Sequence, residues 1–447
     1  MSNEKEYIEI FEQHRNIIEE NCAPLLNEKR TAAFEKFKAS GFPTRNDEAY
    51  RRSDVGKQFQ TNYGMNLRRI DMKGNANDLF TCDVPNLKAR PEYILNDSYI
   101  PTQQATADHI LGVFIGSLNE YARSNSDAIA PYYNALAQKG DSIVQFNTAF
   151  VQDGACIVIP KGVEIAETIQ LVTLLHSNID ILNNRRLLIV LHENAKANIL
   201  LCDHASNEHT TMSTQVTEIY LGKGASLNLY ELEDTDKNNS RLAHLFVQQE
   251  SDSQFNHSNI TLTNGFTRNA INVTLSGSGA HANLTGLAIC DKEQHTANNT
   301  VIEHVASNCT SNELYKYILD EKSTGVFNGK IHIHPDAQHT ASQQTNRNLC
   351  LTDCARMYAQ PQLEIYADDV KCSHGSTVGQ LDENALFYMQ QRGIPKNEAR
   401  NLLMFAFAGE VIENIDIDAL RDRLHILIEK RFRGELNKCK GCSLCKK

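Results

Sequence analysis

The order of hydrophobic and polar residues divides the chain into three regions. Near the N-terminus, apolar residues recur at helical spacing over residues 3–20, and a second helical stretch is predicted to end at Gly41. From about Asp141 to Val378 the period changes, and short runs of alternating apolar and polar residues follow one another. From Asp382 the helical period returns. The pattern predicts a β-rich body between two helical regions.

A similar phrase, a turn followed by a strand, recurs in the β-rich region about every 26 to 30 residues, as expected for a stacked supersecondary unit. Its copies are ENAKANIL at 193, GKGASLNLY at 222, SDSQFNHSN at 251, GSGAHANLTG at 277 and SNCTSNEL at 307. Helical solenoids are excluded because the units contain no helix pair, and a propeller blade needs a longer period, roughly 40 residues. The pattern favours a mostly β fold, a right-handed parallel β-helix in which aligned Asn, Ser and Thr side chains bond along the stack. A β-sandwich is the alternative, because short strands with turn signals suit it too.

Four regions are predicted along the chain. They are a mostly helical or mixed N-terminal region over 1–140, a parallel β-helix over 141–380, a C-terminal helical domain over 381–436 and a Cys- and Lys-rich tail over 437–447. Uncovered strand edges aggregate, so we expect the helical regions to cap the open ends of the β-helix, or another protein to cover one flank.

The C-terminal domain is predicted to contain three helices. Asp382 is the expected N-cap of the first, Gly393 the left-handed residue after its end, and Pro395 the first residue of the second. The second helix contains LLMFAFAGEVI and has more apolar surface than one face needs. Burial against its neighbours accounts for most of this surface, and the rest is available to a partner protein.

Charge and hydropathy narrow the class of protein. The net charge of -11 argues against nucleic acid or an anionic membrane as the main partner. The sequence has no run of about 18 apolar residues. Its start, MSNEKEYIEIFEQHR, lacks the basic residues and apolar core of a secretory signal. We therefore expect a cytoplasmic protein.

The twelve cysteines are interpreted for a reducing compartment. Cys350 and Cys354 lack the second close pair that would complete a zinc site, which favours packing in the core. Six cysteines occur singly and are expected to be buried small hydrophobic side chains: Cys22, Cys82, Cys156, Cys202, Cys290 and Cys309.

Cys439, Cys442 and Cys445 in the tail have Cys-x-x-Cys-x-x-Cys spacing. Three close thiols suit zinc, copper(I) or part of an iron–sulfur cluster, and the neighbouring lysines favour thiolate. A flexible, redox-sensitive tail without metal is the alternative interpretation.

Histidines and one cysteine near the end of the β-rich region are further candidate ligands. In an extended strand, His332 and His334 project to the same side, where both can bind one metal; His339 follows nearby. A polar strand face at a turn gives the same pattern without metal. Cys372 and His374 also project to one side, but two ligands make an incomplete site. A stable metal there needs ligands from elsewhere in the fold or from a partner chain.

Several phrases closely resemble the SufB/SufD family of the SUF iron–sulfur cluster assembly system, and within it the SufD type. They are GKIHIHPDAQHTASQQTNRNLCLTDCA, ADDVKCSHGSTVGQLDENALFYMQQRGI and LLMFAFAGEVI. The resemblance is strong from about Lys316 to Ile415 and looser over the preceding β-rich region. The early PTRNDEAYRRSD is similar to the family's PTR-x-x-E-x-aromatic segment, with Tyr50 where a Trp is usual. The tail after Leu436 lies outside this pattern.

The resemblance implies a non-enzymatic scaffold subunit. It implies pairing with a SufB-type subunit, or with a second copy of this chain, through the β-helix edge, and a SufC-type ATPase on the C-terminal helices. The chain has no Gly-x-x-x-x-Gly-Lys-Ser/Thr loop, so ATP hydrolysis would belong to a partner. The family's cluster-ligating histidine lies in KCSHG and maps onto His374, with Cys372 as a second candidate. The implied cofactor is a transient iron–sulfur cluster in the complex, with none tightly bound to the isolated chain.

Two other classes remain as alternatives. A β-helix enzyme acting on acidic polysaccharide needs calcium-binding carboxylates and a basic catalytic residue grouped along a groove, whereas the acidic residues here are dispersed. A stand-alone metal or redox protein would act through the three tail cysteines. Such a protein would hold metal that is lost when the tail is removed.

Overall fold

The computed structural model describes residues 4–69, 87–101, 112–205 and 209–435. The helices are α1 (Glu4–Glu20), α2 (Pro24–Ser40), α3 (Val55–Gln58), α4 (Leu118–Ser124), α5 (Ser126–Ile129), α6 (Ser142–Phe150), α7 (Glu383–Gln391), α8 (Lys396–Ile412) and α9 (Asp418–Phe432), with short 3-10 turns at Glu48–Tyr50 and Ala137–Lys139. The strands are β1 (Ala89–Leu95), β2 (Ser98–Ile100), β3 (Phe114–Ser117), β4 (Gly154–Ile159), β5 (Thr168–Leu175), β6 (Ile181–Leu191), β7 (Lys196–Ala205), β8 (Thr211–Leu221), β9 (Ser226–Asp234), β10 (Asn239–Gln249), β11 (Gln254–Thr263), β12 (Phe266–Leu275), β13 (His281–Cys290), β14 (His295–His304), β15 (Thr310–Leu319), β16 (Thr324–Ile333), β17 (Thr340–Cys350), β18 (Arg356–Ile365) and β19 (Val370–Gly379).

From β4 onward, consecutive strands alternate between two sheets. One sheet has ten strands in the order β19-β17-β15-β13-β11-β9-β7-β5-β1-β2, and the other has nine in the order β18-β16-β14-β12-β10-β8-β6-β4-β3. Each strand pairs in parallel with the strand two places along the chain, so that Gln254 aligns with His281 and His281 with Thr310. One circuit of the chain therefore adds one strand to each sheet. This winding confirms the predicted parallel β-helix and excludes the β-sandwich.

The recurring phrase in the sequence corresponds to one turn that is repeated in successive circuits. Its central residue has a positive φ each time, a conformation that Gly, Asn and Asp adopt at low cost. The residues are Asn194 (φ 56), Gly224 (φ 67), Asp252 (φ 59), Gly279 (φ 78) and Asn308 (φ 59). Each central backbone N–H donates to a carbonyl in the turn of the next circuit, as from Gly224 to Ser251 at 2.8 Å. The turn therefore recurs once in each circuit, and its backbone bonds join neighbouring circuits.

The space between the two sheets is filled by inward-facing apolar side chains from both. Members of this core include Ile157, Leu187, Ile199, Leu229, Phe255, Leu284, Tyr317 and Phe327. At about 25 cal/mol per Å² of apolar surface, burial on this scale is the main favourable term in folding.

Polar side chains align along the stack as expected. Asn228 Nδ2 donates to Asn198 Oδ1, and Asn256 Nδ2 donates to Asn228 Oδ1, each at 2.8 Å. A buried ion network also crosses between the sheets, because Arg185 forms two 2.9 Å bonds with Asp203 and Arg241 bonds the same carboxylate at 3.1 Å. These arginines hold the pKa of Asp203 well below its usual range, against the effect of burial.

The N-terminal helices cover the outer face of the nine-stranded sheet. Aromatic side chains of α1, α2 and α6 pack on residues of β6, β8, β10 and β12; they include Tyr7, Phe11, Phe34, Phe37, Phe146 and Phe150. Tyr50, in the segment similar to the family's aromatic motif, lies under the Arg268 guanidinium at 3.8 Å, and its hydroxyl donates to Asp141. Burial raises the pKa of Tyr50 well above its usual range, so the hydroxyl stays a donor. This segment attaches the N-terminal region to the β-helix.

The C-terminal helices lie on a sheet face rather than over an end, which corrects the expectation that they cap the β-helix. Apolar residues of α8 and α9 pack on the outer face of the ten-stranded sheet from β7 to β15. At the N-terminal end, β2 and β3 pair antiparallel with β1 and β4. At the other end, no described strand pairs with the far side of β18 or β19. The β-helix therefore ends in two uncovered strands.

The local signals at the last junction are largely confirmed. Asp382 accepts hydrogen bonds from the Asn384 and Ala385 backbone N–H groups, and Gly393 has φ 84. Pro395 occupies the N-cap position, so α8 begins one residue later than predicted. No helix in the described ranges is long and apolar enough to cross a bilayer.

The strands of the β-helix begin before residue 141. β1 pairs with β5 and β3 pairs with β4, so the N-terminal region contributes strands to both sheets. Residues 142–150 form α6, with Asp141 as its N-cap.

Candidate functional site at the open end of the β-helix

β19 is the last strand of the ten-stranded sheet and carries both Cys372 and His374. It pairs with β17, which aligns Ser342 with Cys372 and Gln344 with His374. Ser342 and Gln344 are buried between the sheets, so Cys372 and His374 lie on the inward-facing side of the last strand. Because no further circuit covers this end, His374 is nevertheless exposed. The predicted shared side of the two residues is confirmed.

His374 and Cys372 differ in their availability as ligands. Among the described residues, the His374 side chain has no hydrogen-bond partner, so both ring nitrogens are accessible. Cys372 is half-buried against Ile331, Ile333 and Ala367, and burial raises the pKa of its thiol. A neutral thiol is a poor metal ligand, since the thiolate is the species that binds. Of the two, His374 is the donor that is ready to bind without a further change.

The buried carboxyl of Glu313 belongs to the same row of inward-facing side chains as His374, two strands away. Register pairs connect Glu313 to Gln344 and Gln344 to His374, and Gln344 Nε2 donates to Glu313 Oε2. Burial raises the pKa of Glu313 to about 7. A carboxyl with a pKa of about 7 and an exposed imidazole therefore lie two strands apart at the open end.

Apolar side chains surround this end on the uncovered strands and on the following helix. Ile365 and Tyr366 at the end of β18 and Val378 on β19 are exposed. Helix α7, which follows β19 directly, has no buried residue, and its Phe387 is 64% exposed. Unpaired backbone edges flanked by exposed apolar groups are typical of a surface that pairs with another chain.

The C-terminal helices are held to the ten-stranded sheet by ion pairs as well as apolar contacts. Lys316 on β15 pairs with Glu410 and donates to the Phe407 carbonyl at 2.9 Å. Arg431 on α9 pairs with Asp291 at 2.7 Å. These pairs were not recognised in the sequence, because their partners are 94 and 140 positions apart.

His332 and His334 lie on the same side, as the strand pattern predicted, and the structure places them on the outer face of the nine-stranded sheet. Their rings are 4.3 Å apart, and Glu303, aligned with His332 on the neighbouring strand, completes a group of three ligating side chains. His339 does not join them and pairs with Asp369 at 2.9 Å. Glu303 was missed in the sequence, although it precedes His332 by one circuit of the repeat.

The other cysteines largely match their predictions. Cys350 is half-buried against the core, whereas Cys354 is exposed, which corrects the prediction of core packing for the second residue. Cys82 and the tail cysteines Cys439, Cys442 and Cys445 lie outside the described residues. The remaining single cysteines are buried: Cys22, Cys156, Cys202, Cys290 and Cys309.

Comparison with known proteins gives consistent matches along the chain. Residues 175–407 match the family described as "SUF system FeS cluster assembly, SufBD core domain", and residues 1–171 match "SufBD protein N-terminal region". An iron–sulfur cluster assembly SufBD family protein of Synechocystis sp. is 26% identical over 91% of each chain. The iron–sulfur cluster assembly protein SufD of Escherichia coli is 36% identical over 43% of this chain and 47% of its own length. SufD of Bacillus subtilis is 24% identical over 72% of this chain and 74% of its own.

The two family matches together extend over the N-terminal helices, the whole β-helix and the start of the C-terminal domain. The match over residues 175–407 includes the last strand, β19, which carries the KCSHG phrase. The chain therefore belongs to the SufBD family of iron–sulfur cluster assembly proteins.

Proposed function

We propose that this chain is a SufD-type scaffold subunit on which nascent iron–sulfur clusters are built together with a second SufBD-type chain. The observation that carries the proposal is the uncovered strand β19, with the His374 imidazole free on its inward-facing side. One imidazole cannot hold a cluster, but it can complete a ligand set that a partner chain begins. The protein supplies position and a ligand, with no chemical step of its own.

The partner in this proposal pairs with the edge of the β-helix. β18 and β19 present unpaired backbone N–H and C=O groups, which another strand can satisfy by continuing the sheets. A SufB-type subunit, or a second copy of this chain, is the proposed occupant. Its arrival would bring its own ligands beside His374 and would exclude water from the junction.

A SufC-type ATPase is the proposed partner of the C-terminal helices. Leu402 on α8 and Ile426 on α9 are exposed, and α7 has no buried residue. In this mechanism the ATPase subunits dimerise on binding ATP and move the helical domains. The ion pairs of Lys316 and Arg431 join these helices to the ten-stranded sheet, so the movement would be transmitted to its last strand, β19. The interface with the partner chain near His374 would then open and admit sulfur and iron.

The His374→Ala variant tests the ligand assignment. In a complex reconstituted with SufB-type and SufC-type subunits, we expect cluster yield, followed by visible absorption under anaerobic conditions, to fall by about 10-fold or more. His339→Ala is the matched control, since it removes an exposed imidazole that pairs with Asp369. Cys372→Ser tests the second candidate separately. A normal yield from the His374→Ala complex, with its subunit composition intact, would exclude His374 as a ligand.

A further inference from the structure

A second group of ligating side chains lies on the outer face of the nine-stranded sheet, separate from His374. Glu303 on β14 is in register with His332 on β16, and His334 follows the end of β16. One ligand atom from each of the three lies within 4.8 Å of those of the other two. Two imidazoles and one carboxylate therefore converge at one point of the surface.

Apart from an edge-to-face contact between the His332 and Tyr366 rings at 5.5 Å, these side chains have no hydrogen-bond, ion-pair or ring partner outside the group within the part of the chain that the structure describes. His334 Nε2 is buried and has no hydrogen-bond partner, and the Glu303 carboxylate has neither a hydrogen bond nor an ion pair. The nearby ammonium of Lys330 pairs with Glu364 at 2.7 Å instead. Buried ring nitrogens are normally hydrogen-bonded, so the unpaired Nε2 of His334, next to a second imidazole, is available to a ligand.

The spacing suits a small metal ion. Bonds from nitrogen and oxygen ligands to such ions are about 2.0 to 2.2 Å long, so two ligands of one ion are at most about 4.4 Å apart. The three ligand atoms all lie within 4.8 Å of one another, so rotations about the side-chain torsions can bring them to such separations.

The donor set identifies the class of ion. Imidazole and carboxylate together suit borderline divalent metals such as Fe²⁺, Co²⁺ and Zn²⁺, and the absence of thiolate from this group disfavours copper(I). Two histidines with one carboxylate are also the ligand set that holds Fe²⁺ in many non-haem iron sites. Three protein ligands leave coordination positions open, as in sites that exchange their ligands.

We propose that Glu303, His332 and His334 form a site for an exchangeable divalent transition metal, with Fe²⁺ as the ion it serves. The next strand, β18, is the uncovered edge of this sheet, and its Glu364 is aligned with His332. The site therefore lies one strand from the open end. It needs no second chain and does not depend on the role of His374.

Binding of Co²⁺ to the isolated full-length chain tests the proposal, because visible absorption of this ion reports its coordination. The chain carries Cys439→Ser, Cys442→Ser and Cys445→Ser so that tail thiolates do not compete. We expect one equivalent of Co²⁺ to bind, and each of His332→Ala, His334→Ala and Glu303→Gln to weaken binding by about 10-fold or more. His339→Ala, which removes a histidine outside the group, is expected to bind normally. Excess Fe²⁺ added anaerobically is expected to displace the Co²⁺.

Unfolding midpoints of the metal-free variants establish that each variant is folded. The site is refuted if no Co²⁺ binds, if the spectrum is unchanged in His332→Ala and His334→Ala, or if His339→Ala loses binding equally. Failure of excess Fe²⁺ to displace Co²⁺ refutes the assignment to iron. Cluster assembly is not the readout, so this result is independent of the test of His374.

Discussion

At the scale of single residues, burial rather than charge pairing sets the properties of the open end. Glu313 is fully buried and accepts a hydrogen bond from Gln344. Burial raises its pKa to about 7, so the carboxyl stays protonated at lower pH. Cys372 keeps its proton for the same reason, while the exposed His374 is accessible to a ligand. Each of these differences depends on how much of the side chain the neighbouring circuit covers. The residue types alone do not contain that information.

The raised pKa of Glu313 predicts a pH-dependent stability. Between about pH 4.5 and pH 7 the unfolded carboxyl loses its proton while the folded one keeps it, so this group lowers the stability as pH rises through that range. A shift of this size corresponds to on the order of 3 kcal/mol. We therefore expect Glu313→Gln to gain stability relative to the unmodified chain as pH rises from 4.5 to 7, in urea unfolding followed by circular dichroism.

Glu164→Gln serves as the control for this series. Glu164 is an exposed carboxylate, 3.4 Å from Lys196, and its substitution is expected to change stability by less than about 1 kcal/mol at any pH. If Glu313→Gln follows the same flat profile, burial of Glu313 does not shift its titration.

At the scale of elements, the C-terminal helices and the ten-stranded sheet form one attached unit. Apolar residues of α8 and α9 cover strands β7 to β15. Two ion pairs, Lys316 with Glu410 and Arg431 with Asp291, also join the helices to the sheet. Lys316 also lies 4.4 Å from the Phe407 ring. Helix α7 differs, since it has no buried residue and connects the edge strand to the attached helices.

Lys316→Met is expected to loosen α8 while leaving the β-helix intact. The substitution removes a largely buried ammonium together with its bonds to Glu410 and to the Phe407 carbonyl, at a cost of about 1 to 3 kcal/mol. Hydrogen exchange followed by mass spectrometry is expected to show faster exchange over 396–432 and unchanged exchange over β5 to β13. Lys161→Met, which breaks an exposed pair with Glu193, is the control and is expected to show neither effect. Unchanged protection of α8 in Lys316→Met would contradict the role given to this pair.

At the scale of the whole molecule, the asymmetry of the two ends is the main feature. The N-terminal end is closed by antiparallel strands, and the nine-stranded sheet is covered by aromatic helices. The C-terminal end presents β18 and β19 with Ile365, Tyr366 and Val378 exposed. An uncovered edge of this kind normally aggregates unless a partner pairs with it.

Charges on the uncovered edge are therefore expected to prevent assembly without unfolding the chain. The double variant Ile365→Lys and Val378→Lys places two ammonium groups at the edge. Pairing with a partner strand would bury these charges or bring them next to charges of the same sign, and either effect opposes assembly. We expect loss of the complex with a SufB-type subunit in size-exclusion chromatography with light scattering, and an unfolding free energy within about 0.5 kcal/mol of the unmodified chain. Ile179→Lys, at an exposed position away from the edge strands, is the control. A complex of normal mass from the double variant would place the interface elsewhere.

Local signals in the sequence determined much of the fold. The repeated turn could be recognised because Gly, Asn and Asp, which adopt a positive φ at low cost, occupy its centre at Asn194, Gly224 and three later positions. The strands between the turns alternate as two-sided sheets require. His339 has the same positive φ at the centre of the following turn and was not recognised, because histidine is not a usual turn residue. The helix caps at Asp382 and Gly393 could also be recognised, because each depends only on residues close in sequence. The shared side of Cys372 and His374 followed from strand geometry alone.

Contacts between distant parts of the chain set which surfaces are covered. The position of the C-terminal helices on the sheet face depends on contacts such as Lys316 with Glu410, and the group of Glu303 with His332 depends on strand register; both join residues far apart in sequence. Local propensity carries no information on such pairs, because their energy arises only after the circuits have stacked. The sequence by itself therefore determined a repeating β-helix with candidate ligands near its end. The stacked structure decided that the end stays open and which of those ligands face it.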